Sequence, residues 1–160
     1  MKNLIPLLSA LLLFCAACKK EESKQHVKTK KEILTSGKWK VTSSKALIQS
    51  PGSPAQHDLF ASIPPCQQDN LYVFNSEGTG TIDEGETKCN PDDPQSTNTG
   101  NWQLLDYDKK LRMRVKFDIL DAEITSDVLE LNDLSMVLKY DTTYLSYPTT
   151  ITTTFSHIRQ

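Results

Sequence analysis

The stretch Lys110-Leu111-Arg112-Met113-Arg114-Val115-Lys116-Phe117 alternates basic and apolar side chains without a fault. A period of two puts its apolar residues on one face, so the segment is predicted as a half-buried β-strand. Leu120, Ala122 and Ile124 then alternate with Asp121 and Glu123, which brings carboxylates within reach of the basic row across a hairpin. Shorter runs of the same kind occur at Lys38 to Thr42, Leu71 to Phe74, Thr79 to Ile82, Trp102 to Leu105, Leu129 to Leu131, Met136 to Tyr140 and Ile151 to Phe155. Turn formers separate them: Asn75-Ser76-Glu77-Gly78, Asp106-Tyr107-Asp108, Asn132-Asp133 and a loop holding Pro148. Two segments read as helix instead. Thr29-Lys30-Lys31-Glu32 fits a capping box ahead of Ile33 and Leu34, with Gly37 as a stop. Ser53-Pro54-Ala55-Gln56 fits a second, and Leu59, Phe60 and Ile63 would share one face of about two turns ended by Pro64-Pro65. The expected fold is all-β: an antiparallel up-and-down barrel of about eight strands, with short helices at the N-terminus and after the first strand. Closing such a meander removes its exposed edges.

The N-terminus follows a different pattern. Lys2 precedes Leu4 to Ala17, where 12 of 14 residues are apolar. A helix of that length reaches only ~21 Å, short of a ~30 Å hydrocarbon core, so it reads as the apolar region of a signal peptide. Cys15-Ala16-Ala17-Cys18 resembles a bacterial lipobox, although Cys15 stands where that motif usually has Leu. The resemblance implies residues 1–17 as a lipoprotein signal peptide. It also implies a diacylglycerol thioether and an amide-linked chain such as palmitate on Cys18. Residues 18–31 would be a flexible tether, and Lys19-Lys20-Glu21-Glu22-Ser23-Lys24 resembles the short signal that sends some lipoproteins to the outer cell surface. With the leader set aside, the remaining residues are about a third apolar, lean but sufficient for strands that need one apolar residue in two. Charge divides in the same place. The tether has six Lys against two Glu, net +4, while residues 32–160 carry 11 basic against 18 acidic residues, net −7. A basic tether suits an anionic lipid surface, and an acidic domain argues against nucleic acid as a partner.

If Cys15 leaves with the signal and Cys18 is acylated, two cysteines remain, and in an oxidising envelope Cys66 and Cys89 are expected to pair. A metal site is the other reading, but His26, His57 and His157 show no ligand spacing. No metal or cofactor is expected.

Taken in order, the lipobox, Gly37-x-Trp39, Cys66-Gln67-Gln68-Asp69-Asn70, Phe74-Asn75-Ser76-Glu77-Gly78-Thr79-Gly80, Cys89 and Gly100-x-Trp102 resemble the lipocalin-like domain of bacterial envelope lipoproteins. That resemblance covers about residues 32–157 and implies a meander barrel over residues 32–160. It also implies a lid between the first and second strands, where Leu59, Phe60 and Ile63 would face a ligand. Trp39 and Trp102 are candidates for the same interior, or for plugs at one end of the barrel.

The expected function is an outer-membrane-anchored lipoprotein, periplasmic or surface-exposed, that binds a small hydrophobic molecule or lipid without catalysis. The alternative is a surface accessory, adhesion or glycan-interacting lipoprotein with a filled barrel and no internal ligand. For that alternative, the row Lys110, Arg112, Arg114 and Lys116 is the candidate surface for an envelope protein or glycan. A solvated face paired to neighbouring acids is the plainer account of the same row. Asp83, Glu84, Glu86, Asp92 and Asp93 lack the spacing of a calcium loop. No nucleophile elbow, zinc-protease motif or phosphate loop is present, so no catalytic residues are assigned.

Overall fold

A computed structural model describes residues 26–117 and 120–158, without the side chains of 115–121. Cys18 and the leader lie outside the described residues, as does the side chain of Lys116. The chain opens with helix α1 (Lys30–Leu34), whose capping box forms as its sequence predicts: Thr29 accepts from the Glu32 N–H, and Glu32 accepts from the Thr29 N–H. The strands follow as β1 (Lys38–Ile48), β2 (Ala55–Asp58), β3 (Leu71–Phe74), β4 (Thr79–Asp83), β5 (Ser96–Leu105), β6 (Lys110–Phe117), β7 (Leu120–Leu131), β8 (Ser135–Tyr144) and β9 (Tyr147–Ile158). Every pairing is antiparallel, consecutive strands from β3 to β9 are neighbours, and β9 returns to β1. The wall is a closed eight-stranded up-and-down barrel formed by β1 and β3 to β9, as the alternation predicts.

β2 stands outside that count because it shares an edge of β1 with β3. β2 pairs with Lys45 to Ile48, and β3 pairs with Lys38 to Lys40. Together they act as one wall strand broken by the excursion of residues 59–70. The segment Ser53 to Ile63 is therefore not the two-turn helix its capping box suggests. Ala55–Asp58 find backbone partners on β1, and the helical part shrinks to two 3-10 turns, Phe60–Ser62 and Pro65–Gln67.

Register places the interior in layers down the β1–β9 seam: Ile48 opposite Thr149, Ala46 opposite Ile151, Ser44 opposite Thr153, Val41 opposite Phe155, and Trp39 opposite His157. The lower layers are filled. Leu34, Trp39, Leu111 and Met136 are fully buried, with Phe74, Trp102, Leu131, Leu138 and Phe155 packed around them. Phe74 meets Trp102 edge-on at 5.8 Å, and Tyr72 meets Phe155 edge-on at 5.7 Å. α1 closes this end, where the Trp39 indole N–H donates to the Leu34 carbonyl at 2.9 Å. The opposite end, reached by β2 and by the β8–β9 turn, is the mouth.

Candidate functional site

A cavity of about 410 Å³ lies at the mouth. Its wall comes from four strands that end there. β1 contributes Ala46 and Ile48, β2 contributes His57 and Asp58, β9 contributes Thr149 and Ile151, and β8 contributes Thr142, Thr143 and Tyr144. Pairing fixes which side chains look inward. Ala46 and Thr149 are buried, and their partners share their face: Ile151 and His57 opposite Ala46, and Ile48 and Thr142 opposite Thr149. Gln56 and Lys45 are out of phase with that set and line a groove on the outer wall together with Leu47 and Thr150. The roof is the excursion after β2, which brings Leu59 and Ser62 over the opening. Leu59 N–H donates to Ser44 O at 2.8 Å, and Ser62 Oγ donates to Asp58 O at 3.2 Å.

Polar groups in this wall are only partly engaged. Thr149 Oγ1 donates to the Tyr147 carbonyl at 3.1 Å and keeps its acceptor capacity. Asp58 contributes to the wall, but it stands opposite Lys45 on the outer face, and its Oδ1 accepts the Ala61 N–H at 3.0 Å. Ala46, Ile48, Leu59 and Ile151 supply the apolar part. An apolar hollow edged by a few hydroxyls and one imidazole can take a small amphiphile, tail inward and head at the rim.

A second space of about 210 Å³ lies against Tyr72, Phe74, Ile82, Trp102, Met113 and Phe155. It adjoins the place where β5 and β6 part, since their pairing covers only Trp102 to Leu105 on β5. Burial pushes the Tyr72 phenol up.

Of the residues expected to face a ligand, Leu59 lines the mouth cavity, while Phe60 and Ile63 are half-buried beside it. Trp39 and Trp102 sit in the closed-end core. The indole N–H of Trp102 is shared by the Asn75 and Thr79 carbonyls at 3.1 and 3.0 Å, and Trp102 borders the smaller space and not the mouth cavity. His57, Thr142, Thr149 and Ile151 were not anticipated as cavity residues. The signal for Thr149 and Ile151 was available in the alternation of β9, which reads most simply as strand propensity.

The excursion is fastened from below. Cys66 and Cys89 form a disulfide, joining the second 3-10 turn to the β4–β5 loop. Three residues after Cys66, Asp69 accepts from the Glu86 N–H, the Thr87 N–H and the Thr87 hydroxyl, each at 2.9 Å. Burial favours the protonated acid, but these donors outweigh it and hold Asp69 below the usual carboxylate range. Gln68 Nε2 donates to the Ile63 carbonyl at 2.9 Å. The Cys66-Gln67-Gln68-Asp69-Asn70 step thus supports the roof.

The basic row is met by acids. Lys110 pairs with Asp127 at 2.7 Å, and Lys139 lies 3.6 Å from Asp127 and 3.3 Å from Asp141. Arg112 donates to Gln103 Oε1 at 2.6 Å and stands 3.8 Å from Glu123, and Arg114 has an interaction of its own. In the acidic stretch, Asp83 accepts from Lys38 and Gln95, each at 2.8 Å. Those two bonds, Lys38 first, outweigh burial and bring its pKa down to about 2. Among the described residues, no three His, Cys, Asp or Glu side chains form a metal set, and no helix is long and apolar enough to cross a membrane.

Comparison with known protein families finds no match for this sequence, and comparison with curated proteins finds none either.

Proposed function

We propose that the chain is a lipid-anchored envelope lipoprotein whose barrel takes up a small hydrophobic or amphipathic molecule without catalysis. The observation that carries this reading is the cavity of about 410 Å³ at the mouth, which falls in the ~300–1,000 Å³ range of small-molecule sites. An eight-stranded barrel either fills with side chains or holds one small ligand. Here the closed end is filled, and the packing gives way toward the mouth. Anchorage in the outer membrane rests on the lipobox resemblance at Cys18 and on the basic tether. Several acyl chains hold stably where one binds only marginally.

Native mass spectrometry of the mature protein purified from its own cells tests the binding. The expected result is a retained small molecule on the wild type that is absent from Ala46→Trp, where the new indole occupies the cavity. A bare wild-type mass would instead favour the surface-accessory reading. Labelling with an alkyne fatty acid tests the anchor: label on the wild type and none on Cys18→Ala supports it, and equal labelling refutes it.

A further inference from the structure

We infer that the mouth cavity selects an amphiphile with an uncharged, hydroxyl-bearing head and discriminates against a carboxylate head. The inference rests on the binding reading above and narrows it to a ligand class. It comes from which side chains the register turns toward the space. Among the described residues, Lys and Arg are absent from the lining, which consists of Ala46, Ile48, Leu59 and Ile151 together with His57, Asp58, Ser62, Thr142, Thr143, Tyr144 and Thr149. Asp58 is the one permanent charge among them, and pairing sets it opposite Lys45 on the outer face, with its Oδ1 held by the Ala61 N–H. His57, by contrast, lies opposite the buried Ala46 and faces in.

Such a lining treats head groups unequally. A carboxylate head drawn under the roof gives up water and finds no Lys or Arg among the described lining residues, and desolvating an unpaired ion is far costlier than desolvating a hydroxyl. Asp58, itself part of the lining, opposes a carboxylate further. A hydroxyl head meets groups that can both donate and accept. Thr142 and Thr149 stand directly opposite each other at the rim, the Thr149 oxygen retains acceptor capacity, and the His57 imidazole offers one donor and one acceptor when neutral. Tyr144 adds a phenol at the edge. The apolar residues Ala46, Ile48, Leu59 and Ile151 are left for a short alkyl tail.

Calorimetric titration of the mature protein at pH 8 with two probes of equal tail length tests this: monodecanoylglycerol and decanoate, each below its micelle threshold. The diol is expected to bind at least tenfold more tightly than decanoate. Thr142→Val with Thr149→Val removes both rim hydroxyls at nearly constant volume. The double variant should lose about tenfold in affinity for the diol and leave the weak binding of decanoate unchanged. Circular dichroism and a urea midpoint near the wild-type value establish that it is folded. His57→Phe supplies a second, exposed position with the same expected loss. Decanoate binding as tightly as the diol would overturn the head-group inference and leave the binding reading in place. An unaltered diol affinity in both variants would do the same. No binding of any probe, with a molecule still retained in native mass spectrometry, would also overturn this inference alone. No binding together with a bare native mass would overturn both.

Discussion

Gly100 shows how much a missing side chain can decide. Its φ is +112°, and a Cβ there would overlap the Arg114 carbonyl oxygen, so β5 can pass this close to β6 only with glycine. Gly37 answers a different constraint, because a Cβ would collide with the His157 imidazole, which packs against Trp39 at a tilt, ring centres 4.8 Å apart. The two Gly-x-Trp units therefore share a purpose, close backbone approach beside a buried indole, without sharing a conformation. Asp83 is the residue with the clearest acid signature. Its folded pKa of about 2 lies below the ordinary 3.8, so its contribution is complete above about 3.8 and fades as pH falls through 2. The carboxylate is near the surface, which limits the contribution to about 1 kcal/mol. Asp83→Asn should lower stability by about that amount at pH 7 and match the wild type near pH 2. Urea midpoints at the two pH values check this; a gap persisting at pH 2 would locate the effect elsewhere. The candidate site was half legible at this scale. Leu59 stood out as an apolar residue in a lid position, whereas His57 and Thr142 face the cavity through strand pairings that adjacent sequence does not reveal.

At the scale of elements, strand existence was far more legible than strand length, and bulges explain the difference. β6 carries unbroken alternation and was read to its ends. β7 runs from Leu120 to Leu131, but its register shifts between Val128 and Glu130, leaving Leu129 58% exposed. That slip reverses the inward phase and made one strand look like two. The same event between Val41 and Ser43 hid the upper half of β1. β5 starts six residues before Trp102, in Ser96-Thr97-Asn98-Thr99, where polar residues give no alternation to follow. Pro148 lies inside β9 near its start, where a missing N–H is tolerated. The broken strand β2–β3 was the least legible element, because its pairing with β1 outweighs a local helix signal. Its excursion is bound at Cys66, and by the chain-entropy model the bridge contributes about 3 kcal/mol. Cys66→Ser with Cys89→Ser should lose about that much in urea unfolding and release a mouth ligand faster. A loss below about 1 kcal/mol would mean that the Asp69 clasp holds the roof alone.

At the scale of the whole molecule, opposite charges alternate from strand to strand on the outer wall of β6, β7 and β8. Lys110, Asp127, Lys139 and Asp141 follow one another across β6, β7 and β8, and Thr150 on β9 donates to Asp141 at 2.7 Å. The basic row is thus one rung of an alternating ladder, and individual surface pairs of this kind contribute little to stability. The two ends differ more than the wall does. α1 lies across the closed end, tied by Lys28 to Asp133 at 2.7 Å and by Lys30 to the Asp108 carbonyl at 3.2 Å. The chain therefore reaches the barrel at the end opposite its cavity. From Cys18 to His26 is eight residues, under about 30 Å even fully extended. The barrel itself, with tilted strands of 10 to 12 residues along β8 and β9, stands about 25 Å tall. A flexible tether of eight residues has an r.m.s. span of only about 16 Å, short of the wall's height, so an acyl group on Cys18 would moor the molecule floor-down, like a cup on a table, with its opening turned toward the aqueous space. Fluorophores on Leu134→Cys at the floor and Leu145→Cys at the rim, in liposomes carrying nitroxide head groups, would report this posture. Quenching should be strong at residue 134 and weak at 145, and the reverse would invert the cup. A vessel held that way would exchange its contents with whatever diffuses past the membrane, so any cargo would have to be soluble enough to arrive without the bilayer's help.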